Sequence, residues 1–474
     1  MKLLCVLSAI CCLLPAIGAR VLGLEGTALM LDTFGVRAQW HPAVAFDGEN
    51  FLVVWEDFRK GDYSNIHCSR VSPTGQMLDP TGIPVCGTAI DQRDPAIAFD
   101  GMNYLVCWRA NPRLHEHRIH CARVTPERVA LDPVPILVAA GQGYRGRAAV
   151  AFDGTNFLIA WEDCRSGTSD IYGARVTPDG QVLDSAGFII SAAPGGKYIA
   201  AVASSGNECL VAWGDSRSLQ RDIYGSRVSP DGTVLDPDGI PISTAPYDQC
   251  AAAVAFDGEN YLAIWADDRL NRVDIYGARV SPQGMVLDPD GIPVACGSTE
   301  RFNPALACCG SDYLGVWSSS TPEETDLYGA KVSSDGAVGE EVPVEVAPRT
   351  QQHPAVAYGS GEVFVVYNGS TYIYQGKLYA NNRIWGKFGP FPGVEEAAGS
   401  KPRAATEATI VRGSLVLSRE RSADSRQPVV LLDATGRRVM QLQPGANDVR
   451  HLSPGVYFVR SPERRESQRV VLVE

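Results

Sequence analysis

Tryptophan, aspartate and arginine recur together in this sequence as Trp-x-Asp-x-Arg. Carboxylates beside arginine are suited to acid–base chemistry, and with further oxygen ligands they bind calcium. The set occurs four times, whereas a catalytic site in one chain is normally unique. We therefore interpret it as a structural ion pair that fixes a loop, and we predict no catalytic residue in the chain. Its members are Trp55, Asp57, Arg59, Trp161, Asp163, Arg165, Trp213, Asp215, Arg217, Trp265, Asp267 and Arg269.

A second group with chemical potential is His115, His117 and His120, which precede Cys121. Imidazole and thiolate are ligands of zinc and copper. On a strand, however, His115 and His117 share one face while His120 points to the other, and the spacing matches no strong metal motif. A solvated loop is the preferred interpretation, and the three histidines remain weak metal candidates.

Two Asp-Pro-Asp-Gly segments, 236–239 and 288–291, offer a further carboxylate pair each. Calcium is an alternative for them, but proline and glycine supply the backbone angles of a tight turn, so we interpret both as turns. We predict no cofactor.

The tryptophans reveal a repeat that runs through most of the chain. Tyr367 occupies the tryptophan position in the last copy, which makes seven repeats and indicates a modular architecture. The six tryptophans, at intervals of 53, 53, 52, 52 and 52 residues, are Trp55, Trp108, Trp161, Trp213, Trp265 and Trp317.

Each repeat reads as four short strands. The first two are exemplified by 42–46 and 51–55, which an Asp-Gly turn joins, the third by 170–176 and the fourth by 232–236. Four antiparallel strands cannot bury both faces alone and must stack on neighbours. The small Ala-x-Ala pattern of the first strand suits the crowded axis of a ring. We predict an all-β fold, a seven-bladed β-propeller over 20–385.

The N-terminal part of the mature chain predicts how the ring closes. Residues 26–32 resemble the fourth strand at 232–236 and lack three preceding strands of their own. We expect this segment to complete the last blade, whose third strand we place at 372–379. A six-bladed ring and an open solenoid are the alternatives.

Positions that differ between repeats are the best candidates for a binding site. The residue before each inner strand would enter the channel on one face of the ring, and it varies in charge and polarity. We propose a ligand-binding channel mouth, for which the polar members are His41, Asp94, Arg147, Asn303 and His353. Solvated loop residues without a ligand are the alternative.

Export is predicted at the N-terminus. Residues 1–19 contain one lysine, an apolar run and a small-residue end at Gly18-Ala19, the pattern of a signal peptide. The apolar run is shorter than the roughly 20 residues that span a bilayer, so a retained anchor is the less favoured alternative. We expect no transmembrane segment after signal cleavage. Ten cysteines follow the signal without a recurring framework, and we interpret most of them as buried small residues.

The last residues differ from the repeats and follow a Gly/Pro-containing linker at 386–403. Three features stand out, namely Asp-x-x-Gly-Arg-x-Val at 433–439, Pro-Gly-Val-Tyr-Phe at 454–458 and a basic, apolar terminus. Together they resemble the C-terminal sorting domain of type IX secretion substrates. That resemblance implies a small β-sandwich over 404–474, passage across a bacterial outer membrane by the type IX machinery, and release or attachment at the cell surface.

Charge divides the chain in the same place. Residues 401–474 carry 13 Lys and Arg against 8 Asp and Glu, about +5, which leaves about −17 for the rest of a chain with a formal net charge of −12. An acidic propeller repels phosphate backbones, so we exclude nucleic acid as a partner.

These features predict a secreted or cell-surface, noncatalytic binding or scaffold module for protein or glycan, acting as a monomer. The alternative is a propeller-type hydrolase of extracellular polysaccharide. Against it, the sequence contains neither a sialidase-like Ser-x-Asp-x-Gly-x-x-Trp box nor a unique carboxylate triad.

Overall fold

The computed structural model describes residues 28–31, 38–59, 61, 63–86, 90–113, 116–322, 324–347, 350–374 and 377–389, together with the backbone of seven short strands between 409 and 472. The chain divides into two compact units, 1–395 and 396–474. The described residues contain no helix, and hence none that could cross a membrane. The predicted signal peptide lies outside the described residues.

The first unit consists of seven four-stranded antiparallel sheets, the blades. Blades one to four comprise β2 (Gln39–Phe46), β3 (Phe51–Asp57), β4 (Asn65–Val71), β5 (Ile83–Pro84); β6 (Asp91–Phe99), β7 (Tyr104–Arg113), β8 (Glu116–Val124), β9 (Ile136–Ala139); β10 (Arg145–Phe152), β11 (Phe157–Asp163), β12 (Asp170–Val176), β13 (Phe188–Ser191); and β14 (Lys197–Ser204), β15 (Cys209–Asp215), β16 (Asp222–Val228), β17 (Ile240–Ser243).

Blades five to seven comprise β18 (Gln249–Phe256), β19 (Tyr261–Asp267), β20 (Asp274–Val280), β21 (Ile292–Ala295); β22 (Glu300–Cys309), β23 (Asp312–Ser320), β24 (Thr325–Val332), β25 (Val342–Glu345); and β26 (Thr350–Gly359), β27 (Glu362–Tyr374), β28 (Lys377–Gly389) with β1 (Leu29–Met30). The predicted all-β, seven-bladed propeller is confirmed.

Closure of the ring by an N-terminal strand is confirmed. The prediction of the fourth strand at 232–236 was wrong, because the outer strand of blade four is β17 (Ile240–Ser243) and the earlier segment contributes only a bridge from Val234 to Val228. Strand β1 pairs with β28 as the outer strand of blade seven, with Leu29 opposite Gly386 and Met30 opposite Trp385. Leu31 follows β1 and is fully buried, in a cluster that joins blade seven to blade one. The start and end of the ring are thereby held in a single sheet.

The prediction of the third strand of blade seven at 372–379 was wrong. Strand β27 continues to Tyr374 and pairs with β28 through Tyr374 opposite Lys377, so the hairpin turn falls between those two residues. Strand β28 then runs to Gly389, four residues beyond the predicted end of the propeller at 385. This blade has a longer hairpin than the others, which the repeat pattern did not indicate.

The core lies between neighbouring blades. The second strands are almost entirely buried, as in β3, and their apolar residues pack on the second strand of the next blade, as Leu52 and Val54 do with Val106 and Trp108. Alanines on the inner strands allow seven strands to approach one axis. Burial of apolar surface on both faces of each blade supplies the main stabilisation.

A second Asp–Arg pair recurs in five blades and was not recognised from the sequence. In blade four, Arg227 binds Asp236 through Nε at 2.9 Å and Nη2 at 2.9 Å, and its Nη1 donates to the carbonyl of Pro282 in blade five at 2.9 Å. Asp288 is paired with Arg279 in the same way. The first carboxylate of each Asp-Pro-Asp-Gly segment therefore neutralises an arginine that links adjacent blades.

The second unit contains two small sheets. Five strands pair in the order β29 (Thr409–Val411), β35 (Gln468–Leu472), β34 (Gly455–Arg460), β31 (Val430–Asp433) and β32 (Arg438–Gln441), and two others pair with each other, β30 (Ser414–Leu417) and β33 (Gly445–Asp448). All pairs are antiparallel except β29 with β35. Of the element at 433–439, Asp433 ends β31 and Arg438 and Val439 lie in β32, and residues 455–458 lie in β34. Residues 434–437 and Pro454 lie outside the described residues.

Candidate functional site: the channel cavity

Every inner strand carries a β-bulge at the position that the sequence singled out. In each blade the pairing between the first and second strands shifts around this residue, for example between Trp40 and Ala43 in blade one. A bulge leaves a residue outside the ladder and redirects its side chain. We call these seven positions the bulge residues.

Five bulge residues adopt a left-handed backbone conformation, with φ of 48° at His41, 54° at Asp94, 58° at Ala251, 52° at Asn303 and 51° at His353. This region costs a residue with a side chain about 1 kcal/mol or more, and it persists only where the surroundings impose it. In four of the five a proline follows, and proline has no N–H to donate to a ladder. The proline thus favours the bulge in these four blades, while the other three bulge without one.

Six of the seven bulge residues line a cavity of about 360 Å³ on the propeller axis. Its walls are alanine, valine and proline side chains of the inner strands. The structure brings together here all five residues that the sequence proposed, which are His41, Asp94, Arg147, Asn303 and His353. Whether they bind a ligand stays a prediction.

A second ring of residues lies beside the bulge residues, one position after each tryptophan on the second strand. Trp40 pairs with Glu56 and Arg93 with Arg109, so these side chains adjoin the bulge. This ring was not predicted from the sequence. Its signal was the same one, variation at a fixed repeat position, since the seven residues are Glu56, Arg109, Glu162, Gly214, Ala266, Ser318 and Asn368.

Blades one and two share a polar network at this site. Nδ1 of His41 donates to Oε1 of Glu56 at 2.8 Å, because a carboxylate can only accept. The same Oε1 accepts the backbone N–H of Asp94 at 2.7 Å. Asp94 directs Oδ1 to within 3.7 Å of His41 Nδ1 and binds Arg109 Nη2 through Oδ2 at 2.8 Å. Glu56 is only 1% exposed, so its charge is held inside the protein.

Blade seven supports His41 from the other side. The backbone N–H of His41 donates to Oδ1 of Asn368 at 3.1 Å, and the amide of Asn368 donates to the carbonyl of Gln39 at 2.8 Å. The ring of His353 packs edge-on against His41 with centroids 4.9 Å apart. Burial lowers the pKa of His353 to about 4, assisted by His41 and Arg147, so this imidazole is neutral near pH 7.

Blade three contributes Glu162 and Arg147. Burial raises the pKa of Glu162, against hydrogen bonding from Ser169 and the charge of Arg109. A Cβ at Gly146 would lie 2.9 Å from the Glu162 carboxylate, so glycine makes room for it. Arg147 is exposed and makes no hydrogen bond or ion pair with another described residue.

The cavity is therefore two-sided. The charged half is defined as eight residues of blades seven, one, two and three. His353, His41, Asp94 and Arg147 line the cavity, and Asn368, Glu56, Arg109 and Glu162 of the second ring lie beside them. Blades four to six have Gly214, Ala266 and Ser318 in the second ring and Ala251 and Asn303 among the bulge residues. A ring of similar blades has thus acquired a single specialised side.

The Trp-x-Asp-x-Arg residues lie outside this cavity and have a common structural geometry. In blade four, Asp215 accepts from Trp213 Nε1 at 2.9 Å and binds Arg217 through Nε at 3.0 Å and Nη2 at 2.7 Å. Arg217 also donates to the carbonyl of Asp238 and covers the ring of Tyr224, 3.7 Å from its centroid. Blades one, three and five repeat the Asp–Arg contact.

The histidines of blade two do not converge. His117 lies against Tyr144 and approaches the carbonyl of Arg145, whereas His120 stacks on Trp108. His115 lies outside the described residues. Burial lowers the pKa of His120 to about 4, and neither of its ring nitrogens has a hydrogen-bond partner among the described residues.

Cys121, which was the possible thiolate ligand, forms a disulfide with Cys107 on the adjacent strand, with 4.0 Å between the two Cα atoms. The cysteines show no recurring framework in the sequence, so this pair within one blade was not predicted. The eight other described cysteines are free.

Comparison with known proteins gives the following. No protein-family model matches the sequence, and no curated protein does. Among solved structures, the endosialidase of phage phi92 is similar over 94% of this chain and 80% of its own, at 10% identity and a TM-score of 0.46. An α-L-arabinanase of Penicillium chrysogenum, complexed with arabinobiose, matches over 78% and 100%, at 11% identity and a TM-score of 0.44.

The acylaminoacyl peptidase of Pyrococcus horikoshii is similar over 74% of this chain and 53% of its own, at 12% identity and a TM-score of 0.41. Identities and TM-scores this low assign no activity to this chain. The matching solved structures also include glycoside hydrolases.

Proposed function

We propose that this chain is a noncatalytic binding protein and that its channel cavity binds a glycan. The observation that carries the proposal is a set of polar groups that face the cavity and are not satisfied by the described protein. Arg147, Asn303 and His353 line it without a hydrogen bond to another described residue. Groups in this state are available to a ligand.

The chemistry of these groups suits carbohydrate hydroxyls. A neutral imidazole and an amide each donate and accept hydrogen bonds, and a guanidinium adds several donors. Tyr144, 44% exposed and beside Arg109, offers an aromatic face next to the charged half. The cavity volume of about 360 Å³ is at the lower end of ligand pockets, roughly 300–1,000 Å³, which fits one or two sugar units.

Polysaccharide hydrolysis is the second candidate, and the raised pKa of Glu162 favours it, since a protonated carboxylic acid could serve as a general acid. The other two carboxylates of the charged half favour a binding function over hydrolysis. Glu56 is held by His41 and Asp94, and Asp94 by Arg109, so neither is left free to act as a base or nucleophile. Release of reducing ends from a bound glycan, abolished in Glu162→Gln, would favour the hydrolase.

A glycan array probed with the mature protein tests the binding proposal. Alanine at His41, Asp94, Arg147 and His353 together should abolish any signal and leave the protein folded, as its circular dichroism spectrum reports. The control is Asp231→Ala with Glu259→Ala, two exposed acidic residues in turns outside the cavity lining, and it should bind as the wild type does. Unchanged binding by the quadruple variant, or a protein ligand in place of a glycan, would overturn the proposal.

We further propose that the protein is exported through its N-terminal signal and that the segment 404–474 directs its passage to the cell surface. The resemblance of 433–439 and 454–458 to type IX sorting domains supports this. Deleting 404–474 should leave a folded propeller in the periplasm, detected by cell fractionation and surface proteolysis. Normal surface display of the truncated protein would contradict the sorting role.

A further inference from the structure

We propose that His41, Glu56 and Asp94 bind a divalent transition-metal ion of the zinc class at the charged half of the cavity. The inference deepens the proposed function, since the ion would form part of the same ligand site. It depends on the three side chains themselves and can be tested without a glycan.

The donor atoms are already close together. Nδ1 of His41, a carboxylate oxygen of Glu56 and one of Asp94 all lie within 4.8 Å of one another. His41 Nδ1 is 2.8 Å from Glu56 Oε1 and 3.7 Å from Asp94 Oδ1. Two ligands about 2.0–2.2 Å from a tetrahedral ion are separated by roughly 3.4 Å, and the two distances from His41 Nδ1 differ from this by roughly half an ångström or less.

The three ligands come from separate elements that fix their positions. His41 and Asp94 are the bulge residues of β2 and β6, and Glu56 is on β3. Asn368 accepts the backbone N–H of His41, and Glu56 accepts that of Asp94. The site is thus held by backbone contacts across three blades before any ion binds.

Charge also favours a cation here. Glu56 is buried, and no described lysine or arginine forms an ion pair with it, while a buried carboxylate needs a positive partner. The two carboxylate oxygens of Asp94 have different partners: Oδ2 binds Arg109, and Oδ1 points toward His41. Arg109 would therefore act as an outer partner that orients a metal-binding carboxylate.

Imidazole as a donor indicates zinc-class ions rather than calcium, which takes oxygen ligands. The ion would replace the hydrogen on His41 Nδ1, and the ring would carry its hydrogen on Nε2. His41 is 30% exposed and His353 lies against it, so the ion would keep a coordination position toward the cavity. A sugar hydroxyl or carboxylate could occupy that position.

The competing interpretation is a metal-free site in which the His41–Glu56 hydrogen bond and the Asp94–Arg109 ion pair alone satisfy the two carboxylates. Metal binding distinguishes the two. Mature protein stripped with EDTA is titrated calorimetrically with ZnCl₂ and, separately, with CoCl₂, whose absorption spectrum reports the ligands. We expect one ion per chain, a raised melting temperature and a cobalt spectrum without a thiolate charge-transfer band. The last point excludes binding at free cysteines, of which Cys296 is exposed.

Glu56→Gln and Asp94→Asn should each weaken zinc binding at least about 10-fold. Two variants are used so that the test still holds if one of them does not fold. Glu259→Gln, the same chemical change at an exposed turn, should bind as the wild type does. No zinc binding by the wild type, or equal affinity in Glu56→Gln, would overturn the inference. Glycan binding that is insensitive to EDTA, without zinc binding, would overturn the metal site but support the proposed function. Zinc binding without glycan binding would support the metal site but overturn the proposed function.

Discussion

Asp215 exemplifies how single residues of the repeat stabilise a blade. Its side chain is fully buried, and its carboxylate accepts hydrogen bonds from both Trp213 and Arg217. Removing one partner of a buried ion pair leaves the other uncompensated, so Asp215→Ala should lower the free energy of unfolding by about 3–5 kcal/mol. Glu259→Ala, at an exposed turn, should change it by no more than about 0.5 kcal/mol. Urea unfolding monitored by tryptophan fluorescence compares the two, and similar midpoints would contradict the structural role.

Two histidines make stability depend on pH in a calculable direction. Burial lowers the pKa of His120 and of His353 to about 4 from 6.5. Between these values the unfolded chain binds protons that the folded chain does not, so stability falls as pH falls from about 6.5 toward 4. The double variant His120→Gln with His353→Gln should flatten the melting temperature over this interval. An equally steep dependence in the variant would show that other groups cause it.

At the residue scale, variation between repeats predicted the bulge residues because it is visible in aligned copies. Glu56 and Arg109 showed the same variation, but each comes directly after a segment that is predicted to be a buried strand. A charged residue at that position does not indicate which residue it contacts. Their contacts with His41 and Asp94 depend on the register shift at each bulge. That shift is a property of strand pairing and cannot be read from one strand's sequence.

Among the elements, the hairpin of β7 and β8 carries a crosslink that the repeat does not share. Reducing agent should lower the melting temperature of the wild type, in line with the roughly 2–4 kcal/mol of a typical disulfide. Cys107→Ala with Cys121→Ala should melt lower and be insensitive to reductant. Cys209→Ala, which changes a buried free cysteine in blade four, should keep the response to reductant. Loss of the response in Cys209→Ala would contradict the assigned pairing.

The sequence predicted the strands well where local signals recur, namely Asp-Gly turns, inner Ala-x-Ala and central tryptophans. It failed at the outer strand of the repeat, predicted at 232–236 in blade four but found at Ile240–Ser243. It also failed at β27 and β28, where the last copy lacks these signals and the hairpin lengthens. Pairing within a blade, as in Cys107 with Cys121, was missed for a related reason. Repeat alignment compares positions between blades, whereas contacts form mostly within a blade and between its neighbours.

The whole ring depends on the short strand β1. Leu31, next to it, is fully buried between blades seven and one. Leu31→Ala should lower the free energy of unfolding by about 2–5 kcal/mol, the usual cost of a large-to-small change in a core. Leu235→Ala, at a leucine that is 39% exposed, is the matched control and should cost much less. Equal effects in thermal melts would mean that the closing strand does not stabilise the ring.

The central claim is that one side of an otherwise repetitive ring forms the ligand site. The most direct measurement is a crystal structure of the mature protein with the strongest glycan from the array. The account predicts sugar density in the channel cavity, hydrogen-bonded to Arg147 and His353 and facing the charged half. Density confined to the outer edges of the blades, with the cavity filled by water alone, would contradict it.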